Sequence, residues 1–214
     1  MGTYYTWANK TKRQRLHTRV FCYDFKLLES CHRGSRVTNA LCTLLASDWH
    51  GDVVAFLPDQ SWYWHHVPEG DTRFDEFRHM GGDSPADYAE DWYTDISGVF
   101  KDAEGKTGWM ADPPGPGGDW VEFPYAGPFD REVIVYRYIV NETKRVFYDR
   151  EGAADGFDPL PILLGLSTGY LWVESDPHPE DLEPDGTWIG DVITPAHEPP
   201  DEAGYTDITG LYSL

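Results

Sequence analysis

The chain has 214 residues, 40% of them hydrophobic and 25% charged, so it can form one large domain or two small ones. This composition argues against a wholly disordered chain, and no apolar run approaches the length of about 18 residues that a membrane-spanning helix needs. The net charge is −20, from 17 Lys and Arg against 37 Asp and Glu, whereas a phosphate backbone requires a positive surface. We therefore expect no membrane and no nucleic acid bound through direct phosphate contacts.

Basic residues and cysteines both concentrate near the N-terminus. Residues 1–47 hold eight Lys or Arg against two Asp or Glu, which favours pairing with the acidic remainder, although a local basic face for an anionic partner is an alternative. The first 20 residues lack the apolar stretch of a secretory signal. Cys22, Cys31 and Cys42 match neither a disulfide framework nor a zinc spacing, so we expect reduced thiols and a cytoplasmic location.

The first half of the chain predicts a hairpin, a helix and a strand. Residues 4–8 and 15–21 are predicted to pair because their counterparts in the second half are rich in β-branched and aromatic residues. Residues 36–46 place apolar side chains at helical spacing. Residues 53–57 form a predicted strand that follows a tight W-x-G-D bend.

An aromatic cluster follows this strand. Trp62 and Trp64 would point to one face of a strand, either into the core or outward as a platform for a partner. Residues 84–92 predict a short helix with Ser84 as N-cap and Pro85 in the first turn. Next comes Y-T-D-I-S, predicted to be a short strand that leads into a helix start capped by Ser97.

The second half repeats some of these signals. Residues 112–118 read DPPGPGG, which excludes a helix or strand and predicts a linker. Residues 132–141 and 146–148 predict a second hairpin. Residues 161–171 contain too much Gly and Pro for a long helix, and residues 192–194 predict a strand.

Three sequence blocks recur in the same order, which indicates an internal duplication. Y-x4-N-x-T-K-R begins at Tyr4 and Tyr136, and W-x-G-D-V-[VI] begins at Trp49 and Trp188. The third block, Y-T-D-I-[ST]-G-[VL]-[FY], ends at Phe100 in the first copy and at Tyr212 in the second. Three matches in register are hard to obtain by chance, so we predict two copies of one ancestral unit.

The copies predict the domain organisation and the fold class. The second and third blocks start 44 residues apart in the first copy and 17 apart in the second, so the first copy carries an insertion of about 27 residues. We assign residues 1–104 to a first unit with an insertion near 58–92, residues 105–128 to a linker, and residues 129–214 to a second unit. The expected fold is α+β, mainly β, with two tandem hairpin–helix–strand units related by pseudo-symmetry.

The same blocks resemble a family of uncharacterised proteins. Its members begin M-G-x-Y-Y-x-x-x-N-x-T-K and continue through a leucine-rich helix to W-x-G-D-x-[IV]. Here Tyr4, Tyr5, Asn9 and Lys12 match the first motif, and the segment from Trp49 to Asp52 matches the second. The resemblance covers about half of each unit and implies no activity.

Candidate catalytic residues are carboxylates and histidines. Asp52 and Asp191 are equivalent, as are Asp95 and Asp207; such pairs suit acid–base chemistry or a cation site, but capping of repeated loops is the stronger interpretation. His65 and His66, with His50 and His79, could contribute to a metal site only through the fold. We keep Asp52, His65 and His66 as weak catalytic candidates and predict no metal and no cofactor.

Candidate binding residues lie in the insertion and in an acidic run. Residues 176–185 form a Pro-punctuated acidic segment, which predicts a solvated loop or a docking site for a basic protein. We therefore predict an acidic, non-enzymatic binding protein that engages a protein partner, possibly basic, with oligomeric state open. The alternatives are a hydrolase that uses Asp52 and the insertion histidines, and a structural component of an assembly such as a viral particle. The predicted binding residues are Trp62, Trp64, Asp181 and Glu183.

Overall fold

A computed structural model describes seven ranges of the chain. These are residues 3–21, 26–59, 84–100, 131–153, 156–166, 186–201 and 203–212. The predicted linker at 105–128 and residues 60–83 of the predicted insertion lie outside the described residues, so the proposed domain boundaries stay a prediction.

The first unit contains a four-stranded mixed sheet. Its strands are β1 (Tyr5–Asn9), β2 (Gln14–Leu16), β3 (Val54–Pro58) and β4 (Thr94–Asp95), in the order β3-β1-β2-β4. Strand β1 pairs antiparallel with β2 and β3, and β4 runs parallel to β2. A 3₁₀ helix at Thr18–Phe21 follows β2, and another at Ser97–Val99 follows β4. The predicted hairpin is therefore confirmed, with a second strand shorter than the sequence suggests.

Among the described residues, three α-helices accompany this sheet. They are α1 (Leu27–Ser30), α2 (Arg36–Leu45) and α3 (Pro85–Trp92). Helices α2 and α3 confirm the two predicted helices, and Ser84 caps α3 as predicted, in a capping box that Asp87 completes. The structure adds that Ser35 caps α2. Helix α3 buries Pro85 and Ala89 and packs against β1, β2 and β3.

The second unit repeats the sheet with the same topology. Its strands are β5 (Tyr138–Asn141), β6 (Val146–Asp149), β7 (Ile193–Ala196) and β8 (Thr206–Asp207), in the order β7-β5-β6-β8. Registers also agree: Asn9 pairs with Val54 as Asn141 pairs with Ile193. The α+β fold with two similar sheet units is thus confirmed.

One helix differs in length between the copies. Trp49 N donates to Leu44 O at 2.8 Å, and Trp188 N donates to Leu163 O at 2.9 Å, so the last turn of α2 corresponds to helix α4 (Leu160–Leu163). The second copy therefore keeps one helical turn where the first has ten residues. A 3₁₀ helix at Thr209–Tyr212 closes the second unit as its counterpart closes the first.

The predicted strand at 132–141 is shorter than expected. Only Tyr138–Asn141 joins the sheet, because the neighbouring strands end opposite Tyr138, at Asp149 and Ala196. Residues 132–136 run outside the sheet, where Ile134 N donates to Thr43 Oγ1 of α2 at 2.9 Å. The composition of residues 132–136 favours a strand, but the two strands next to β5 do not extend far enough to pair with them.

The two units pack together around one shared hydrophobic core. Buried apolar residues of both units form a single cluster, in which α2 packs against β7. Phe56 N donates to Leu164 O at 2.8 Å and Phe56 O accepts from Leu166 N at 3.0 Å, so the outer edge of β3 is covered by the second unit. The equivalent of Phe56 in β7 is Pro195, which has no N–H and cannot form the same pairing. This bridge is therefore not repeated in the other copy, and the two four-stranded sheets remain separate.

Candidate functional site

Asp52 closes the repeated turn of the first unit. Asn9 Nδ2 donates to Asp52 Oδ2 at 2.8 Å, and Lys12 Nζ lies 3.0 Å from the same oxygen. The Asn9 Oδ1 atom accepts the backbone N–H of Lys12 at 2.9 Å, which tightens a turn in which Arg13 has a φ of 50°. The Asp52 side chain is 11% exposed. The Asp52 carboxylate is therefore held by a hydrogen bond and an ion pair within the first unit.

Asp191 makes the same connection in the second unit. Asn141 Nδ2 donates to Asp191 Oδ2 at 2.8 Å, and Asn141 Oδ1 accepts from Lys144 N at 2.9 Å. In both W-x-G-D bends the glycine adopts a left-handed conformation, with φ of 76° at Gly51 and 88° at Gly190. Repetition of the asparagine–aspartate hydrogen bond, the asparagine turn and the glycine bend favours a structural role for both carboxylates.

The second pair of repeated aspartates, Asp95 and Asp207, also accepts hydrogen bonds from backbone N–H groups. Asp95 Oδ1 accepts from Ser97 N at 2.9 Å, and Asp207 Oδ1 accepts from Thr209 N at 2.8 Å. Ser97 Oγ accepts from His17 N at 2.7 Å, so Ser97 ties the 3₁₀ helix to β2 instead of capping its own helix. The prediction that Ser97 caps this helix is therefore wrong, because the Asp95 side chain accepts the N–H at the helix start.

A buried ion pair of the second unit contacts the first unit through a hydrogen bond. Both Nε and Nη2 of Arg150 donate to Asp158 Oδ2, at 2.9 and 2.7 Å, and both residues are fully buried. Arg150 Nη2 also donates to Asn39 Oδ1 of α2 at 2.8 Å. Tyr148 OH donates to Asp158 Oδ1 at 2.7 Å. These contacts satisfy both charges at the junction.

Burial and neighbouring charges shift the pKa values of Arg150, Tyr148 and Cys42 at the junction. Burial is the largest single effect and lowers the pKa of Arg150, but the charges of Asp158, Cys42 and Tyr148 and the hydrogen bond to Asp158 together raise that pKa above its ordinary value. Burial, reinforced by Asp158, raises the pKa of Tyr148 well above 10.0, and burial raises the pKa of Cys42 to about 12. Tyr148 and Cys42 are therefore neutral at physiological pH, and the Cys42 thiol is a poor nucleophile.

A polar cluster without a repeated counterpart lies where the units meet. His50 Nε2 is 3.1 Å from Thr194 Oγ1 and 3.7 Å from Glu142 Oε1, and Thr194 Oγ1 donates to Glu142 Oε1 at 2.5 Å. The equivalent positions in the other copy are Ile189, Lys10 and Ala55, which have different chemistry. Sequence reasoning named His50 but missed Glu142 and Thr194; a comparison of the copies position by position would have marked all three as divergent.

Helix α3 carries the largest exposed aromatic side chain among the described residues. Trp92 is 68% exposed, and its ring lies 6.2 Å from that of Tyr88. Asp87, Glu90 and Asp91 on the same helix are exposed as well. We call Trp92 with these three carboxylates the α3 surface. It belongs to the predicted insertion, since the second copy has only 17 residues from Trp188 to Tyr205.

Most of the predicted site residues belong to segments that the structure does not describe. Of the candidates, Asp52 is described, whereas the others lie outside the described residues: Trp62, Trp64, His65, His66, Asp181 and Glu183. Within the described ranges, no three His, Cys, Asp or Glu residues are grouped to hold a metal ion. The helices in those ranges are too short or too polar to cross a membrane.

Loss of the turn asparagines is expected to cost both units similar stability. Asn9→Ala and Asn141→Ala each remove a fully buried amide that bonds an aspartate and a backbone N–H, so each should lower the free energy of unfolding by about 1–3 kcal/mol. Urea denaturation of both variants checks this. An unchanged midpoint for either variant would contradict the structural role of its turn.

The resemblance to a family of uncharacterised proteins rests on two motifs, and the structure describes most residues of both. The N-x-T-K turns and the W-x-G-D bends are described, whereas Met1 and Gly2 are not. Membership of that family stays a prediction. Comparison of the chain with models of known protein families, with curated proteins and with solved structures found no match.

Proposed function

We propose that this protein acts by binding, without catalysis, and that its partner is a basic protein. The observation that carries the proposal is the α3 surface, where Trp92 is 68% exposed on the same helix as three exposed carboxylates. Exposed aromatic residues next to charged groups are common anchors of protein interfaces.

Charge supports a basic partner. The protein has a net charge of −20, which attracts cationic proteins over long range and repels other acidic ones. Lys and Arg side chains of a partner can contact the carboxylates and also pack over the indole ring of Trp92. The α3 surface thus offers both kinds of contact to one basic segment.

The repeated carboxylates support binding over catalysis. Asp52 and Asp191 each accept a hydrogen bond from the turn asparagine of their own copy, and that asparagine holds the turn. A catalytic pair needs two groups with different roles, whereas these two are alike. Function is therefore expected in features that only one copy has, such as α3.

Helix α3 is held firmly enough to present its outer face. Arg15 of β2 lies 3.7 Å from Glu90 and 3.4 Å from Asp95, which connects the helix to the sheet. The buried Ala89 also anchors the helix to the core. A surface held in place loses little conformational entropy when a partner binds.

Capture from a native lysate of the source organism tests the proposal. The wild-type protein should retain a basic protein at low salt and lose it at high salt. Trp92→Ala should reduce the retained amount at least tenfold, because it removes the aromatic anchor. Leu28→Ala is the matched control, since Leu28 is also an exposed apolar residue, at 52%, but lies on α1.

Two outcomes would contradict the proposal. Equal capture by the wild type and Trp92→Ala would exclude the α3 surface as the binding site. Retention of no protein at low salt, together with a turnover that Asp52→Ala abolishes, would favour the hydrolase instead. That alternative and a role in a larger assembly stay predictions.

A further inference from the structure

Three donor atoms from separate elements converge at the junction of the units. His50 lies in the first W-x-G-D bend, Glu142 in the β5–β6 turn, and Thr194 in β7. The His50 Nε2, Glu142 Oε1 and Thr194 Oγ1 atoms form a triangle with sides of 2.5, 3.1 and 3.7 Å. We call these three residues the junction triad.

This triangle has the size of one face of a metal coordination sphere. Zinc binds imidazole nitrogen and carboxylate oxygen at about 2.0–2.2 Å, so that neighbouring ligands of a tetrahedral site lie about 3.3–3.6 Å apart. The three observed separations bracket that range. Small side-chain rotations can equalise them, because His50 and Glu142 are 49% and 41% exposed and are not locked by packing.

The donor types suit a divalent transition metal. Neutral imidazole with a carboxylate is a common ligand pair for zinc, and a threonine hydroxyl is a weaker oxygen ligand. Exposure leaves the remaining coordination positions open to water. The net charge of −20 raises the local concentration of cations at such a surface.

The hydroxyl of Thr194 already holds the two stronger ligands together. Its single proton is donated to Glu142, so the contact with His50 requires the proton of the neutral ring to be on Nε2. Binding of a metal at Nε2 moves that ring proton to Nδ1 and replaces the hydrogen bonds by coordination. The Thr194 hydroxyl thus already keeps the imidazole and the carboxylate next to each other.

Divergence of the copies supports a selected role for the triad. The corresponding positions hold Lys10, Ala55 and Ile189, none of which has a donor suited to zinc. The surrounding turns meanwhile keep the same hydrogen bonds in both units. The frame is conserved between copies while these three positions differ together.

We propose that His50 and Glu142, assisted by the hydroxyl of Thr194, bind one Zn²⁺ ion at the junction of the two units. This site is independent of the α3 surface. It contains two of the residue types that usually hold metals, and the threonine completes the face.

Titration of the full-length protein with ZnCl₂ in a calorimeter tests the site. His50→Ala and Glu142→Gln should each weaken Zn²⁺ affinity at least tenfold, and Thr194→Val should weaken it about tenfold by removing the group that positions both ligands. His197→Ala is the control: His197 is exposed but packs on Tyr136, so its loss should leave the affinity unchanged.

A second measurement separates coordination from a structural effect. The imidazole proton resonances of His50, assigned by their loss in His50→Ala, should shift when Zn²⁺ is added, whereas those of His197 should not. Zinc sites elsewhere in the chain contribute equally to wild type and variants, so the difference reports this site. Wild-type Zn²⁺ affinity in His50→Ala and Glu142→Gln, or an unmoved His50 resonance, would overturn the proposal.

Discussion

Replacement of Asp158 by alanine is expected to lower the free energy of unfolding by about 3–5 kcal/mol. The substitution leaves the guanidinium of Arg150 fully buried without its counter-charge, and it removes the acceptor of the Tyr148 hydroxyl. Both effects act at the junction, so the two units should lose stability together. Urea denaturation followed by circular dichroism measures the change.

An exposed ion pair provides the control for this prediction. Arg137 contacts Asp149 at 2.7 Å with its side chain 47% exposed, so Arg137→Gln should leave the unfolding midpoint nearly unchanged. If Asp158→Ala shifted the midpoint no more than this control does, the buried pair would not hold the units together.

Trp49→Ala is expected to destabilise the protein by about 3–5 kcal/mol, because it leaves a large cavity in the shared core. The Trp49 side chain is fully buried, and its Nε1 donates to Gln14 Oε1 at 2.8 Å. Its loss therefore also leaves Gln14 without that partner.

Trp92→Ala makes the same chemical change on the surface. Since Trp92 is mostly exposed, its loss should change the free energy of unfolding by less than about 0.5 kcal/mol. Thermal denaturation of both variants gives the comparison. Equal destabilisation by the two substitutions would contradict the burial assigned to one of these tryptophans.

The repeated blocks made the frame of each unit predictable from the sequence. Asn9 and Asn141 recur with the same neighbours, and the fold places them in the same turns with the same aspartates. Ser84 and Pro85 correctly marked the start of α3, since capping chemistry is local. Local signals sufficed wherever the partners lie within one unit.

Contacts between the units could not be predicted from those signals. Arg150 meets Asn39, and Phe56 meets Leu164, only because the units pack as they do. The strand composition of residues 132–136 likewise predicted pairing, but the neighbouring strands end too early to provide it. Sequence periodicity reports which residues are apolar and cannot report which distant segment covers them.

The candidate site shows the same limit. Asp52 was predicted with its structural role as the stronger interpretation, and its contacts agree with that role. His50 was noted, but its contacts with Glu142 and Thr194 span 92 and 144 positions of the chain. The exposure of Trp92 depends on how α3 lies on the sheet, which no local pattern determines.

The central claim is that repeated residues build the frame while features of one copy bind the partner. Capture of the basic partner by equal amounts of folded Asp52→Ala and Trp92→Ala tests it most directly. We expect Asp52→Ala to unfold at a lower temperature and to bind the partner as the wild type does. Trp92→Ala should keep the wild-type unfolding temperature and lose binding. Binding lost in Asp52→Ala with an unchanged unfolding temperature, and retained in Trp92→Ala, would contradict it.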